Sequence, residues 1–372
     1  MRHHLKYLTV ALAGTFAATT SVQADTYVYN SWFGNKHTVN TLALAPVFAM
    51  IAEQTNGEAE WDLVVGAQLA SGPGTPEAVS SGLVDGGMAF APYQPRLLGA
   101  TNTIFSNSLL GPDVMAAVAA MNETVMLGCP ECQEEYKDMN AVGFAGYAVT
   151  PYRFMCRQVI ETVSDLEGLK VRASGGGVSI SEIAGATPVS MSPGDATTAL
   201  ERGTLDCVLG SVSWLHSFGY MDVVESVVDS PMGNGGPPLL MFINRDVWNG
   251  MSPEARATHI RLAPELVVSA TLEGQIENDV GIVNRAKEAG IVFTPDSDEF
   301  QAVMLEHDKR QRQRVIDEAT AAGVEHPAEI LEYYLASYAR WQVLLDERGR
   351  DHDSIVQALW DEIYSKVDPE NM

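Results

Sequence analysis

Between residues 26 and 90 the chain switches repeatedly between two apolar periods, and this alternation constrains the fold more than any other feature. Residues 26–31 alternate as a strand. Residues 39–54 place Leu42, Ala45, Val47, Phe48 and Ile51 at helical spacing, and Asn56-Gly57 stops the pattern. Residues 61–65 read as a second strand. Thr75-Pro76-Glu77 opens a helix, with Thr75 expected as N-cap and Pro76 at the first helical position. Gly82 ends it, and residues 85–90 are again a strand. Strands joined by helices run in the same direction and need helices on the sheet faces, so the expected class is α/β with a mostly parallel sheet.

The same construction recurs. Ala78-Val79-Ser80-Ser81-Gly82-Leu83-Val84-Asp85 is echoed by Ala199-Leu200-Glu201-Arg202-Gly203-Thr204-Leu205-Asp206. Each is a helix end, a glycine, a short apolar turn and an aspartate opening a strand, as two lobes of one design would produce. A chain of 372 residues has room for two cores. After Pro237-Pro238 comes a short apolar strand at 239–243. Ser252-Pro253-Glu254 then starts a helix with an N-cap, an N1 proline and an early acid. Its pattern runs to about Gly290, longer than one small lobe can cover, so it is expected to lie along both. Pro264 is expected to kink or split it. A further amphipathic helix at 326–347 carries Ile330, Tyr333, Tyr334, Tyr338, Trp341 and Leu345 on its apolar side, and a shorter one follows at 353–366.

Residues 1–24 read as a secretory leader. Arg2, His3, His4 and Lys6 precede an apolar run too short for a confident membrane span, and Val22-Gln23-Ala24 supplies small residues before Asp25. Loss of Arg2 and Lys6 with the leader takes the formal charge from −25 to −27. Such acidity argues against nucleic acid and anionic lipid as partners, since both need a basic face to displace counterions. It also means that any anionic ligand must be held by a few local cations. Export to an oxidising compartment leads us to expect that Cys129, Cys132, Cys156 and Cys207 are paired. The simplest pairing is 129–132 with 156–207. Cys129-Pro130-Glu131-Cys132 also has the spacing of a redox dithiol or half a zinc site, but no second close pair completes a zinc set.

Motifs of catalysis are absent: the sequence has no G-x-S-x-G, P-loop, H-E-x-x-H or G-x-G-x-x-G. His37, His216, His259, His307, His326 and His352 are scattered without ligand spacing, so neither a metal nor a cofactor is expected.

Three blocks carry a resemblance to a known family. They are Gly66-Ala67-Gln68-Leu69 followed by Glu77 and Gly82-Leu83-Val84-Asp85; Asp165-Leu166-Glu167-Gly168-Leu169-Lys170-Val171-Arg172; and Gly185-Ala186-Thr187-Pro188-Val189-Ser190-Met191 followed by 199–206. In order and spacing they resemble the DctP-type solute-binding proteins of tripartite ATP-independent periplasmic (TRAP) transporters. The resemblance implies a two-lobed periplasmic-binding-protein fold, each lobe a mixed, mostly parallel sheet flanked by helices, with a long helix spanning both. Expected boundaries are 25–150 plus about 237–276 for lobe I, about 151–236 plus 277–352 for lobe II, and 353–372 for a C-terminal helix and tail. The implied role is periplasmic capture of a small organic acid in the interlobe cleft, without chemistry. Delivery would be to the small and large membrane subunits of a TRAP permease, with no insertion of this chain into the membrane. A receptor for an ATP-driven importer and, more remotely, a secreted hydrolase are the rival readings.

By matching position the family's carboxylate-pairing arginine is Arg172, whose planar, permanently charged fork suits a carboxylate. Arg153, on the strand entering the second lobe, is the candidate second arginine, with its register open by a residue. Where many members carry an asparagine this chain has Gly210, a departure that argues against a polyhydroxy ligand and passes the cleft wall to Ser211, Ser213 and Trp214. From the residues themselves, Trp32, Phe90 and Tyr93 follow strands of the first lobe, where open α/β sheets bind ligands. Trp32, Tyr93 and Trp214 are candidates to stack on a ligand body. Asn234, within Gly233-Asn234-Gly235-Gly236, sits at the expected return crossing between lobes. Lys36 and His37 are weaker cleft candidates.

Overall fold

The computed structural model describes residues 25–107 and 112–372, so the expected leader at 1–24 lies outside the described residues. The strands are β1 (Asp25–Asn30), β2 (Ala59–Val64), β3 (Gly86–Ala89), β4 (Ala141–Ala145), β5 (Arg153–Cys156), β6 (Lys170–Arg172), β7 (Thr187–Val189), β8 (Cys207–Gly210), β9 (Ser226–Asp229), β10 (Leu239–Asn244) and β11 (Val292–Pro295). They form two sheets, ordered β2-β1-β3-β10-β4 and β11-β9-β5-β8-β6-β7. In the first, β10 runs antiparallel to β3 and β4; in the second, β5 runs antiparallel to β8 and β9. The remaining ladders are parallel, as strand–helix–strand units require. All six residues of β10 are buried, which places the late apolar strand inside the first sheet.

The repeated joint has the same geometry in both lobes. Gly82 and Gly203 sit at φ +73° and +68°, the left-handed helix ending that glycine permits without strain. Asp85 accepts the Val28 N–H through Oδ2 at 2.7 Å, and its own N–H donates to the Val28 carbonyl. Asp206 does the same with Lys170, accepting its N–H at 2.8 Å. Each aspartate thus ties the opening of its strand to the neighbouring parallel strand.

Among the described residues, the chain passes from one sheet to the other three times before its last strand. Two crossings, after β4 and before β10, lie side by side: Tyr147, Val149 and Tyr152 donate backbone N–H groups to the carbonyls of Pro237, Gly235 and Gly233. The approach is so close that a Cβ on Gly236 would stand 1.9 Å from the Tyr147 carbonyl oxygen. The third crossing is helical: Pro253–Val268, π-helical Ser269–Glu277 and Asn278–Glu288 follow without a break. Ser252 caps it by accepting the Ala255 N–H. Pro264 does not split this helix. The irregularity falls later, in the π-helical turns at the crossing, where Thr271 accepts the Ala148 N–H.

Two local expectations are corrected. Gly74, not Thr75, is the N-cap of Thr75–Ser80, because the Thr75 hydroxyl is engaged with Asn30 and the Ser71 carbonyl. The helix Pro327–Arg348 packs against Gly99–Asn107 and Val114–Glu123, on the side of the first sheet rather than with lobe II. The long helix Asp298–Ala322 packs against both Gly99–Asn107 and Gly176–Ile183, and so also bridges the two halves. The sulfurs are paired Cys129–Cys132 and Cys156–Cys207, the second directly across the β5–β8 ladder.

Candidate functional site

A small cavity of about 30 Å³ lies where the two sheets and the crossings meet. Trp32 and Phe33 reach it from the end of β1, Phe90 and Tyr93 from the end of β3. Tyr147, Val149, Tyr152, Gly236 and Pro237 enter from the crossings, and Arg172, Pro193, Trp214 and Phe218 from the second lobe. Carboxyl ends of parallel strands thus supply most of the wall.

Arg172 ends β6 and is 1 % exposed. Its Nε donates to the Met191 carbonyl at 2.9 Å, and its guanidinium lies over the Trp214 ring, 5.2 Å from the centroid. Among the described residues it has no carboxylate partner, and Nη1 is buried without a hydrogen bond. An unpaired buried charge costs several kcal/mol, so a fold that keeps one is poised for an anion. Trp32 Nε1 is also buried without a partner, and the Tyr93 hydroxyl lies beside the Arg172 guanidinium. Burial pushes the Tyr93 phenol up, and the neighbouring Arg172 charge opposes the shift. Burial likewise pushes Tyr152 up to about 12, again against the Arg172 charge. Both phenols therefore stay neutral hydrogen-bonding groups.

The other expected residues sort into distinct places. Arg153 does not face the cavity: it pairs with Asp229 at 3.1 Å and donates to the carbonyls of Pro151 and Tyr152. Adjacent residues of an extended chain point to opposite sides, so Tyr152 takes the wall position and Arg153 the outer face. Gly210 makes room rather than contact, since a Cβ there would stand 2.1 Å from the Trp214 ring. Ser211 and Ser213 lie behind the wall, hydrogen-bonded to each other at 2.8 Å. Asn234 is fully buried beside the crossing with both amide atoms unpartnered, yet it does not line the cavity. Lys36 is exposed. His37 is buried behind Phe33, its ring stacked at 3.8 Å, and burial lowers it to about 3.

Phe218 and Tyr147 were not singled out from sequence. Phe218 lies four residues after Trp214, one helical turn on. Tyr147 and Val149 share the period-two spacing of an extended segment. Both signals are visible only once the anchor residue of each segment is known.

Comparisons agree with this architecture. The profile of the bacterial extracellular solute-binding proteins, family 7 (DctP), matches residues 31–317. A 2,3-diketo-L-gulonate-binding periplasmic protein of Escherichia coli is 27 % identical over 146 residues, 38 % of this chain and 43 % of that protein. A monocarboxylate 2-oxoacid-binding periplasmic protein of a Nostoc species is 25 % identical over 236 residues, 61 % of this chain and 60 % of that one. The chain thus matches less than two thirds of the length of either relative. A solved TRAP periplasmic solute-binding protein from Bordetella bronchiseptica, with bound (R)- and (S)-mandelate, superposes with a TM-score of 0.73 at 22 % identity, covering 85 % of this chain and 99 % of that one. The family profile spans most of the chain, and the chain belongs to the DctP family of extracellular solute-binding proteins.

Proposed function

We propose that this protein is a periplasmic receptor that captures a small organic acid between its lobes and hands it to a TRAP-type membrane permease, performing no chemistry itself. The observation that carries the reading is Arg172: a buried guanidinium with an unpartnered Nη1 in the wall of a small cavity. The ligands named for the two sequence relatives, a diketogulonate and 2-oxoacids, are likewise small carboxylates. Among the described residues no helix is long and apolar enough to cross a membrane, which suits a receptor that docks on separate membrane subunits.

The geometry supplies a closing device. The carboxylate accepts from Arg172 in the second lobe, while Tyr93 and Trp32 offer donors from the first. A ligand that bonds to both halves stabilises the conformation in which they meet, and the population shifts toward it. The bulk charge of −25 opposes an approaching anion, so affinity arises locally, in a cavity that excludes water. Calorimetry of Arg172→Ala against whichever carboxylate a thermal-shift screen identifies tests the reading. Loss of two charge-assisted hydrogen bonds predicts affinity about 100- to 1000-fold weaker. Affinity like that of the unmodified protein would remove the basis of the assignment.

A further inference from the structure

The cavity sets one charge against a wall of aromatic rings, and we infer that its ligand is an aromatic monocarboxylate, a planar ring bearing a single carboxylate. This rests on the reading that Arg172 takes a carboxylate, and narrows it.

Charge limits the ligand to one carboxylate. Among the described residues, Arg172 is the one cationic side chain lining the cavity. The nearest other candidates are spent or absent. His37 sits behind Phe33, accepts the Val39 N–H on Nδ1 and stays neutral in its buried site. Arg153 is held by Asp229 on the outer face, and Lys36 is exposed. A second carboxylate would therefore be buried without a counter-charge, among the most costly groups to bury.

The wall limits the rest of the ligand to a flat apolar body. Trp32, Phe90, Tyr93, Trp214 and Phe218 all line the cavity. Aromatic faces and edges pack best against another ring. Trp214 is a built part of this wall: β8 ends in Gly210 because any Cβ there would overlap the indole, and Arg172 covers the same ring. Arg172 Nη1 and Trp32 Nε1 are buried in the wall without partners, and the Tyr93 hydroxyl lies beside Arg172. These donors suit the two oxygens of one carboxylate. A sugar acid would set its hydroxyls against a wall made mostly of rings.

Calorimetry on the full chain with benzoate, phenylacetate, pyruvate, succinate and phthalate decides the matter. At least one of benzoate and phenylacetate should bind about 100-fold more tightly than the other three, the margin expected when discrimination turns on an unpaired buried group. Arg172→Ala should abolish that binding. Trp214→Leu should weaken it about 10-fold, as loss of a ring–ring contact predicts. Trp214→Phe, which keeps a ring, should recover most of the loss, and thermal unfolding of each variant verifies the fold. Tighter binding of pyruvate or succinate, abolished by Arg172→Ala, would overturn the aromatic assignment and leave the carboxylate reading intact. Benzoate binding that survives Arg172→Ala would overturn the carboxylate reading instead. No measurable binding of either aromatic acid overturns the inference.

Discussion

The two lobes carry the same joint and use it for opposite ends. Asp85 fixes Val28 of β1, and Asp206 fixes Lys170 of β6, so Asn30 and Arg172, each two residues further on, occupy matching places at the ends of matching strands. Asn30 is fully buried and saturated: its amide nitrogen donates to the Ala70 carbonyl and to Thr75 Oγ1, both at 3.0 Å, and its oxygen accepts the Ala70 N–H at 3.2 Å. Arg172 is as deeply buried, yet one of its terminal nitrogens has no partner. One scaffold position, duplicated, is spent on cohesion in the first lobe and held open for a ligand in the second.

The largest way to stress this contrast is to unstaple each lobe. Cys156–Cys207 closes a separation of 51 residues across the ladder beside Arg172, whereas Cys129–Cys132 closes a separation of 3. In the chain-entropy account, longer loops gain more from a cross-link. Cys156→Ser with Cys207→Ser should therefore cost about 4 kcal/mol, and the Cys129/Cys132 double change about 2 kcal/mol. Denaturant unfolding of the two variants measures the difference. Equal losses would mean that the bridges act through local packing rather than through chain entropy.

Next in size is the matched pair itself. Asn30→Ala strands the Ala70 backbone groups and removes one of the two bonds of the Thr75 hydroxyl, and should cost about 3 kcal/mol. Arg172→Met removes an uncompensated charge and should instead stabilise the ligand-free protein by about 1 kcal/mol while destroying binding. Opposite signs in thermal unfolding are the expected result. If both changes destabilise, Arg172 is part of the structural cohesion and the contrast between the lobes fails.

What could be read from sequence follows from how local each signal is. The joint, its glycine and its aspartate lie within eight residues, so the echo of 78–85 in 199–206 was visible and its geometry is shared. Arg172 came with the resemblance. The choice between Tyr152 and Arg153 did not, because it depends on which face of an extended segment meets the cavity. A shift of one residue exchanges the two faces. From sequence, Gly210 reads as a lost amide contact. Its physical role is to leave space for an indole four residues on, which no pattern in the strand announces. The helix Pro327–Arg348 showed its apolar stripe plainly, but a stripe states that a face is buried and not which partner covers it.

The smallest test concerns the contacts that join the lobes rather than those that distinguish them. Gln275, 1 % exposed in the π-helical turns, donates through Nε2 to Thr38 Oγ1 of the first lobe at 3.2 Å, and accepts from the Ser213 hydroxyl of the second at 2.8 Å. Ser213 continues through Ser211 and Thr150 to Asp279 on the same connecting helix. The chain touches both halves and does not reach the cavity wall. Gln275→Leu keeps the bulk and removes both bonds. If they form only when the lobes meet, the closed conformation loses about 1 to 1.5 kcal/mol, and apparent affinity falls about 5- to 10-fold through a smaller competent population. That loss should be uniform across ligands, because nothing that touches them has changed, whereas Trp214→Leu should discriminate between ring and non-ring acids. A loss confined to one class of acid would place Gln275 within the ligand's own contacts. No loss at all would mean that the bridge persists when the lobes part, and that the hinge lies elsewhere along the crossings.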